Sequence, residues 1–448
     1  MAVNPADSLV FGTLYGSDAM RAVFDEQALF RRMLEVEGAL ARVQGRLGVI
    51  PAAAGERIAA AAGEVALDTG ELAASVRRVG YPVVGVVAAL SRAAGEAGRW
   101  THWGATTQDI LDTAAALQMR EGLALLRADL VATIGALADM AVRHRDTLMA
   151  GRTHLQQALP TTFGLKCATW LQPMLGDVVR LDALRPRVER VQFGGAVGTL
   201  ASLGEGGIAV AEGLAGALGL GMPAAPWHAC RDGVAEAACV LGLLCGGLAK
   251  MATDVVLLAQ TEVDEVSEPY LAGRGGSSTM PQKRNPIASE YILAAARVAQ
   301  ALAPVMLGAM AADHERATGP WQAEPLALPQ AFVLAHGALL HGRALAEGLV
   351  VNAGRMRRNL DLSGGLIMAE AVMMGLAPRL GREAAHHAVK HACDVALGGG
   401  TLFEALMAEP EVAGLGAATV RGLLDPAGYL GSAGAFVDRV VAAAGAVR

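Results

Sequence analysis

Aromatic residues are scarce in this chain. Phe, Trp and Tyr together make up 4% of its 448 residues, whereas apolar residues of all kinds make up 53%. Ala, Leu, Val and Met must therefore fill the core, and small or unbranched side chains favour helices that pack closely. A chain of this length can bury a sizeable core and ordinarily forms two or three domains.

Cysteine is also rare, and its spacing excludes the usual cysteine-based sites. The five cysteines form no CxxC pair and no metal-ligand spacing; they are Cys167, Cys230, Cys239, Cys245 and Cys393. A scattered, odd-numbered set indicates reduced thiols in a cytoplasmic protein.

Positive charge is not in excess. The net charge of −6 argues against general nucleic-acid binding, which needs a basic face, but a local cluster of Arg and Lys can still bind an anionic substrate. The first residues, MAVNPAD, show no basic region followed by an apolar run, so no signal peptide is expected. The most apolar stretch, residues 240–260, contains Lys250 and Asp254. These charges favour a buried bundle helix over a membrane span.

The chain does have a strong helical periodicity. Apolar residues recur at spacings of three and four before Gly48 and Pro51, which predict the end of that helix. The same criterion predicts three longer helices, over about residues 109–144, 234–266 and 286–312. Helices of this length need partners along their whole length, which favours a long antiparallel bundle with oligomeric packing. No alternating strand pattern appears, so the predicted fold class is all-α.

The predicted organisation has three parts. They are an N-terminal helical domain over residues 1–108, a central long-helix bundle over residues 109–351, and a small C-terminal helical domain over residues 352–448. In the last part, glycine-containing breaks at residues 363–365 and 398–400 indicate short helices joined by turns.

Two patterns resemble cofactor sites, one for a dinucleotide and one for a metal, but each lacks a required part. The run FGGAVGTL, residues 193–200, lacks the preceding strand and acidic partner of a dinucleotide site. His387 and His391 are four residues apart on a predicted helix, but no third ligand accompanies them. We therefore predict that both are surface residues, and no metal is implied.

The most informative segment is GGSSTMPQKRNP, residues 275–286. Asn285 is suited to cap a helix, and Pro286 is suited to its first position. Free amides at a helix N-terminus attract anions, and Lys283 adds a full positive charge beside them. The segment is therefore predicted to meet a carboxylate or phosphate next to Ser277.

This segment resembles the signature of the fumarase/aspartase superfamily, whose members form or break a C–O or C–N bond beta to a carboxylate. Two further segments agree with it in the family's order, THWGATTQD at residues 101–109 and GRTHLQQA at residues 151–158. The resemblance covers nearly the whole chain. It implies a three-domain, all-α fold with a long central bundle, no cofactor, and a homotetramer whose active sites each draw segments from three chains.

The resemblance also implies a catalytic set. Ser277 matches the base that removes a proton alpha to a carboxylate. A serine alkoxide needs stabilisation, for which Lys283, loop amides and exclusion of water are sources. His154 matches the histidine on the other side of the proton chemistry, and Glu290 matches the carboxylate that pairs with it. Such a carboxylate would orient the imidazole and raise its pKa.

A larger set is implied to bind the carboxylates of the substrate. It comprises His102, Thr106, Thr107, Thr153, Gln156, Ser278, Asn285 and Arg316. Two alternatives stay open. Thr107 and Asp109 also suit the cap of the long helix, and Arg316 also suits a solvated surface position. The family usually has serine where this chain has Thr107.

Within the superfamily, the chain most resembles the bacterial 3-carboxy-cis,cis-muconate cycloisomerases. The resemblance is carried by residues 151–166, 192–204, 226–228, 364–371 and 425–431. Such relatives add a carboxylate oxygen of the substrate to an alkene carbon and protonate the neighbouring carbon, which gives a γ-lactone in aromatic catabolism. The chain departs from them at Ala229 and Cys230, where relatives commonly carry Thr-Gln.

Two other functions are weighed against this one. An adenylosuccinate lyase or another succinyl-adduct C–N lyase would act on a similar polycarboxylate. Residues 80–83 lack the His-Asp pair of adenylosuccinate lyases, which disfavours that member. A structural protein that has lost its activity is disfavoured because Ser277, Lys283, Asn285, His154 and Glu290 are all present. We therefore expect a cytoplasmic enzyme that acts on a small polycarboxylate.

Overall fold

The computed structural model describes residues 3–269, 280, 282–316 and 318–447. Nineteen α-helices, short 3-10 turns and four short strands make up this part of the chain. The first nine helices are α1 Gly12–Tyr15, α2 Asp18–Phe24, α3 Glu26–Arg46, α4 Ala52–Glu64, α5 Thr69–Val79, α6 Pro82–Ala94, α7 Thr107–Arg143, α8 Phe163–Val188 and α9 Gly207–Leu218. The remaining ten are α10 Asp232–Leu258, α11 Ile287–Gly308, α12 Pro320–Gly348, α13 Ala353–Leu360, α14 Ala369–Leu380, α15 Arg382–Leu397, α16 Leu402–Ala408, α17 Pro410–Ala413, α18 Ala417–Leu423 and α19 Ala433–Gly445.

The chain forms two compact units. The first comprises Met1–Asp129, Asp177–Gly246 and Ala294–Leu339, and the second comprises Leu130–Gly176, Gly247–Leu293 and Leu340–Arg448. The division into three domains stays a prediction.

Helix α3 organises the core of the first unit. The side chain of Asp25 accepts a hydrogen bond from the amide of Ala28 and caps the start of the helix, and Gly48 (φ 72°) follows its end as predicted. Its buried face is formed by Met33, Val36, Leu40 and Val43. Helix α9 approaches this face closely, because a Cβ at Gly213 would lie 2.5 Å from a methyl of Val43.

The longest helix follows the predicted pattern. Helix α7 spans 37 residues, within two residues of the prediction at each end. The apolar residues that recur along this helix at spacings of three and four are at most 1% exposed; they are Leu123, Leu126, Leu130, Ile134, Leu137 and Ala141. Helices α10 and α11 are also present, but they end at Leu258 and Gly308, short of the predicted ends. Helix α12 contains Pro325 and Pro329, and internal prolines obscure a helix in a sequence.

Four short strands were not predicted. Strand β1, Leu148–Thr153, pairs antiparallel with β2, Gln156–Thr162. Strand β3, Val266–Ser267, pairs antiparallel with β4, Val350–Val351. The expectation of a chain without strands is therefore wrong at these two places, while the all-α class is confirmed. Gly151 and Pro160 lie inside the first pair, and neither residue is typical of a strand.

The C-terminal part of the second unit has its own apolar cluster. Its buried members come from α14 to α18 and include Val372, Leu376, Val389, Leu402 and Leu406. The predicted breaks are present. Gly364 and Gly365 have positive φ between α13 and α14, and Gly399 and Gly400 have positive φ after α15, which permits the tight turns there.

Two helices, α10 and α11, are long and apolar enough to cross a membrane by length and composition alone. Half of the apolar window of α10 is buried within the chain. A core helix of a soluble protein has the same composition, which agrees with the predicted bundle helix over residues 240–260.

Candidate active site

The predicted site residues fall into both compact units. The first unit holds His102, Thr106, Thr107 and Arg316, and the second holds Thr153, His154, Gln156, Lys283, Asn285 and Glu290. Ser277 and Ser278 lie outside the described residues. We describe each group within its own unit.

The start of α7 is fixed by a buried carboxylate. Thr107 is the first residue of the helix, and the amide of Thr106 donates to Asp109 Oδ2 at 3.0 Å. Asp109, 1% exposed, also accepts hydrogen bonds from the Gln192 side chain and from the amides of Gly194 and Gly195, at 2.9–3.0 Å. Asp109 therefore closes the first turn of the helix and also fastens the glycine-rich segment 193–200 beside it.

Desolvation of the carboxylate affects how Asp109 titrates. Burial raises its pKa, although the hydrogen bonds that it accepts oppose that rise. The glycine-rich segment, which we did not assign to a dinucleotide, thus has a structural use next to two predicted substrate-binding threonines.

His102 precedes this helix in an unusual backbone conformation. Its φ of 61° lies in the left-handed region that L-residues seldom adopt. The imidazole Nδ1 lies 2.5 Å from Oε1 of Glu37 on α3. Burial lowers the pKa of His102, but the hydrogen bond to Glu37 and the charges of Glu37 and Asp109 outweigh it, so that the pKa is raised. A protonated imidazole next to this helix start can bind a carboxylate.

Arg316 is not the solvated surface arginine of the alternative interpretation. Its guanidinium donates to Gln108 Oε1 at 3.0 Å and to the carbonyl of Ala196 at 2.8 Å. The amide of buried Gln108 donates in turn to Asp112 and to the carbonyl of His228. The structure thus brings Arg316 to the start of α7 and to the glycine-rich segment.

A buried ion triad lies next to Gln108. Arg231 donates to both carboxylate oxygens of Asp112, at 2.8 and 3.0 Å, and to both oxygens of Glu324. All three side chains are at most 7% exposed, and the indole of Trp321 also donates to Asp112. These residues line a cavity of about 430 Å³ in the first unit. No motif in the sequence indicates that these three side chains meet.

In the second unit, His154 lies at the tip of the β1–β2 hairpin. His154 and Leu155 form its two-residue turn, with φ of 50° and 64°. Two consecutive positive φ values are typical of a type I′ turn, which usually takes Asn-Gly. The whole tip, from Thr153 to Gln156, is exposed. Non-glycine residues held in strained conformations concentrate at functional sites.

A buried carboxylate anchors this hairpin. Arg152 makes a two-pronged ion pair with Glu265, at 2.7 and 2.9 Å, and Glu265 is fully buried. Asn359 donates to the same carboxylate, and its carbonyl accepts a hydrogen bond from Gln157. The residue pair directly beneath the tip is therefore held on both strands, while the tip stays exposed.

The helix that follows the signature segment is capped differently from the prediction. Helix α11 begins at Ile287. The amides of Ala288 and Ser289, and the hydroxyl of Ser289, donate to the carboxylate of Glu268 at 2.8–2.9 Å. The prediction that Asn285 caps this helix and leaves its first amides for a ligand is therefore wrong. Glu268 supplies an internal anion instead.

Lys283 and Asn285 are nevertheless placed together. Both line a cavity of about 800 Å³ in the second unit, which Glu268 and Gln282 also line. Glu290 lies in the first turn of α11 and is exposed. Among the described residues of this single chain, no hydrogen bond joins His154 to Glu290, and their pairing stays a prediction for the assembled protein.

The described residues contain no group of three or more His, Cys, Asp and Glu side chains that could hold a metal ion. His387 and His391 are exposed on α15, as predicted, and His391 contacts Glu409. All five cysteines are free thiols, and Cys230 is exposed.

Known proteins match the chain over almost its whole length. The family described as Lyase matches residues 15–300, and the family described as adenylosuccinate lyase C-terminus matches residues 365–440. The chain belongs to the lyase family of the fumarase/aspartase superfamily. The predicted superfamily is thereby confirmed, and with it membership of an enzyme family.

Three lyase-family relatives indicate the range of activities. The 3-carboxy-cis,cis-muconate cycloisomerase of Pseudomonas aeruginosa is 48% identical over 99% of this chain and 97% of its own. The 3-carboxy-cis,cis-muconate lactonizing enzyme from Pseudomonas putida has a crystal structure that matches 98% of this chain and 100% of its own with a TM-score of 0.94. The two sequences are 42% identical. The nitrosuccinate lyase of Streptomyces davaonensis is also 42% identical, over 97% and 94%. Their names refer to small carboxylic acids.

Proposed function

We propose that this protein is a cycloisomerase that converts 3-carboxy-cis,cis-muconate to a carboxymuconolactone in the protocatechuate branch of aromatic catabolism. The observation that carries the proposal is the full-length similarity to relatives with that name. The predicted catalytic and binding residues add support, because the chain retains the whole set that this chemistry requires.

The reaction is an intramolecular addition. One carboxylate oxygen of the substrate bonds to an alkene carbon, the double bond opens, and the neighbouring carbon takes up one proton. The substrate trianion thereby becomes a lactone dianion, and no cofactor is needed. Charge accumulates on a remaining carboxylate in the transition state, so that fixed cations lower the barrier. His102, Arg316 and Lys283 are the cations that we assign to this role, in a chain of net charge −6.

The proton-transfer groups follow the superfamily assignment. Ser277 exchanges the proton at the carbon next to a carboxylate, with Lys283 stabilising its alkoxide. His154, oriented by Glu290, acts at the side where the C–O bond forms. Thr106, Thr107, Thr153, Gln156, Ser278 and Asn285 bind the substrate carboxylates.

We also propose that the enzyme is a cytoplasmic homotetramer with sites shared between chains. The exposed hairpin tip supports this part of the proposal. Leu155 is 73% exposed next to His154, and a tip with a catalytic histidine and an exposed leucine is suited to insertion into another chain. Residues from separate chains would then complete the site around the substrate.

A direct assay tests the function. Purified protein is mixed with 3-carboxy-cis,cis-muconate while the ultraviolet band of the conjugated diene is followed. Loss of the band together with lactone formation is expected, and Ser277→Ala should abolish it in a protein that is still folded. An assembled, folded wild-type protein that leaves the diene unchanged would refute this function.

One difference in the sequence supports a second candidate function, that of a succinyl-adduct lyase. Ala229 and Cys230 replace the Thr-Gln that muconate cycloisomerases commonly carry, and Cys230 is exposed. A relative that cleaves a nitro-substituted succinate is as similar as one of the lactonizing enzymes. A succinyl-adduct lyase would release fumarate from such substrates and leave the muconate diene unchanged.

A further inference from the structure

Glu37 is a buried carboxylate with an unusual set of partners. It lies in the middle of α3 and is 1% exposed. Other buried carboxylates in the described part of the chain are bound by arginines or amides, as Asp112, Glu265 and Asp109 are. Glu37 binds only the imidazole of His102, and its second oxygen has no partner.

A buried acid costs several kcal/mol unless it is paired. An apolar residue at this position would pack in α3 without that cost, as Met33, Val36 and Leu40 do. Structural stability therefore does not explain Glu37. Its geometry does point to His102, since the Nδ1 to Oε1 distance of 2.5 Å is shorter than that of an ordinary N–H···O hydrogen bond, and charge-assisted hydrogen bonds are the shorter ones.

The other side of the imidazole is available to a ligand. The His102 side chain is 22% exposed, and Nε2 has no hydrogen-bond partner among the described residues. The charged groups that face the ring are Glu37 from α3 and Asp109 from α7. Because the amides of residues 106, 194 and 195 and the Gln192 side chain occupy Asp109, Glu37 is the group that binds the ring directly.

We propose that Glu37 is a positioning residue of the active site, which holds His102 as an imidazolium with Nε2 free to bind a substrate carboxylate. The inference rests on the proposed function in one respect, which is that the substrate carries a carboxylate. It places on α3 a residue that no motif of the chain indicates.

The first test needs no substrate. The protonation of His102 is followed by nuclear magnetic resonance in protein with isotope-labelled histidine, and the His102→Asn spectrum identifies its signal among the ten histidines. We expect His102 to titrate above about pH 6.5, the ordinary value for histidine. Titration at or below that value in the wild-type protein would overturn the proposal.

The second test separates positioning from folding. Glu37→Gln keeps the shape of the side chain but removes its charge, and Glu35→Gln is the matched control on the exposed face of the same helix. In Glu37→Gln we expect His102 to titrate at a lower pH and KM at neutral pH to rise roughly tenfold or more, with a smaller change in kcat. Glu35→Gln should leave the titration of His102 and KM unchanged. Glu37→Asp keeps the charge and should therefore change both less than Glu37→Gln does.

The pH dependence gives the sign of the effect. Because the pKa of His102 is raised, the imidazolium form is complete below about pH 6.5 and is lost as the pH rises through the folded pKa. Wild-type KM should therefore rise as the pH rises through the folded pKa of His102, and in Glu37→Gln the rise should begin at a lower pH. A folded Glu37→Gln protein with unaltered His102 titration would disprove the role of Glu37. An expected titration without muconate turnover would instead refute the proposed reaction alone.

Discussion

Single buried residues fix the part of the site that lies at the start of α7. Gln108 accepts a hydrogen bond from Arg316 and donates to Asp112, and Arg231 forms ion pairs with both Asp112 and Glu324. Each of these groups would be costly to bury alone. The arrangement therefore depends on all of its members, and the loss of one charge affects the others.

Arg231→Met tests this dependence. It leaves two carboxylates buried without a cation, so we expect a loss of roughly 3–5 kcal/mol in the free energy of unfolding. Denaturant unfolding at fixed protein concentration measures it. The control is Arg187→Met, which removes an exposed ion pair with Glu236 and should cost less than about 1 kcal/mol. Equal losses in the two variants would contradict the role of the triad.

The sequence indicates the residues that belong to motifs but not the residues that support them. His102 and Arg316 are in segments that resemble the superfamily, and both have defined places in the first unit. Glu37, which lies in none of these segments, contacts a residue 65 positions away in the chain. Gln108 lies in the first segment, but its contact with Arg316 spans 208 positions. One sequence contains no signal for such contacts, because burial of a polar residue depends on the fold around it.

At the level of the element, the β1–β2 hairpin is the most specialised structure. A turn of His and Leu in a conformation that favours glycine is strained by about 1–3 kcal/mol per residue. The Arg152–Glu265 pair and Asn359 hold the strands beneath it. The rigid base therefore determines where His154 projects.

Arg152→Lys should lower kcat while the protein stays folded. Lysine keeps the charge but loses the two-pronged contact with Glu265, and a displacement of His154 by a fraction of an ångström is expected to reduce kcat roughly ten- to a hundredfold. Arg145→Lys is the matched control, because Arg145 makes the same kind of pair with exposed Asp438. Steady-state kinetics at saturating substrate compares the two, and an Arg152→Lys enzyme with normal kcat would argue against the anchor.

Elements with a glycine or proline stop signal were predicted well, and an element that ends without such a signal was not. Helix α3 ends before Gly48 as its sequence indicates. Helix α10 was predicted to continue to residue 266, yet it ends at Leu258. The amide of Glu265 returns to the carbonyl of Leu258, and Asp264 has a φ of 50°. No glycine or proline marks that end, so the periodicity alone extended the helix too far.

At the scale of the whole molecule, the proposed tetramer with shared sites predicts that two inactive variants recover activity when they are mixed. If His154 and Ser277 of one site come from different chains, mixed tetramers of His154→Ala and Ser277→Ala contain some sites with both native residues. Random mixing gives about a quarter of such sites. Each variant alone should be inactive, and activity should return after the two are unfolded and refolded together.

Refolding each variant with itself is the control for this experiment. The composition of the mixed tetramers is verified with tags of different mass before the assay. Verified mixed tetramers without recovered activity would show that each site takes both residues from one chain.

The contacts at the start of α7 also affect the order in which the protein folds. Gln108 meets Arg316 across 208 residues, and Asp112 meets Trp321 across 209. Contacts this distant in sequence form slowly, because a long loop must close first. On the ribosome, the start of α7 is synthesised early, but Arg316 and Trp321 emerge only after more than two thirds of the chain. Arg231, the cation that pairs with Asp112, is synthesised earlier, but the contacts with Arg316 and Trp321 are still missing at that stage, and chaperone binding to nascent chains should be strongest in that interval.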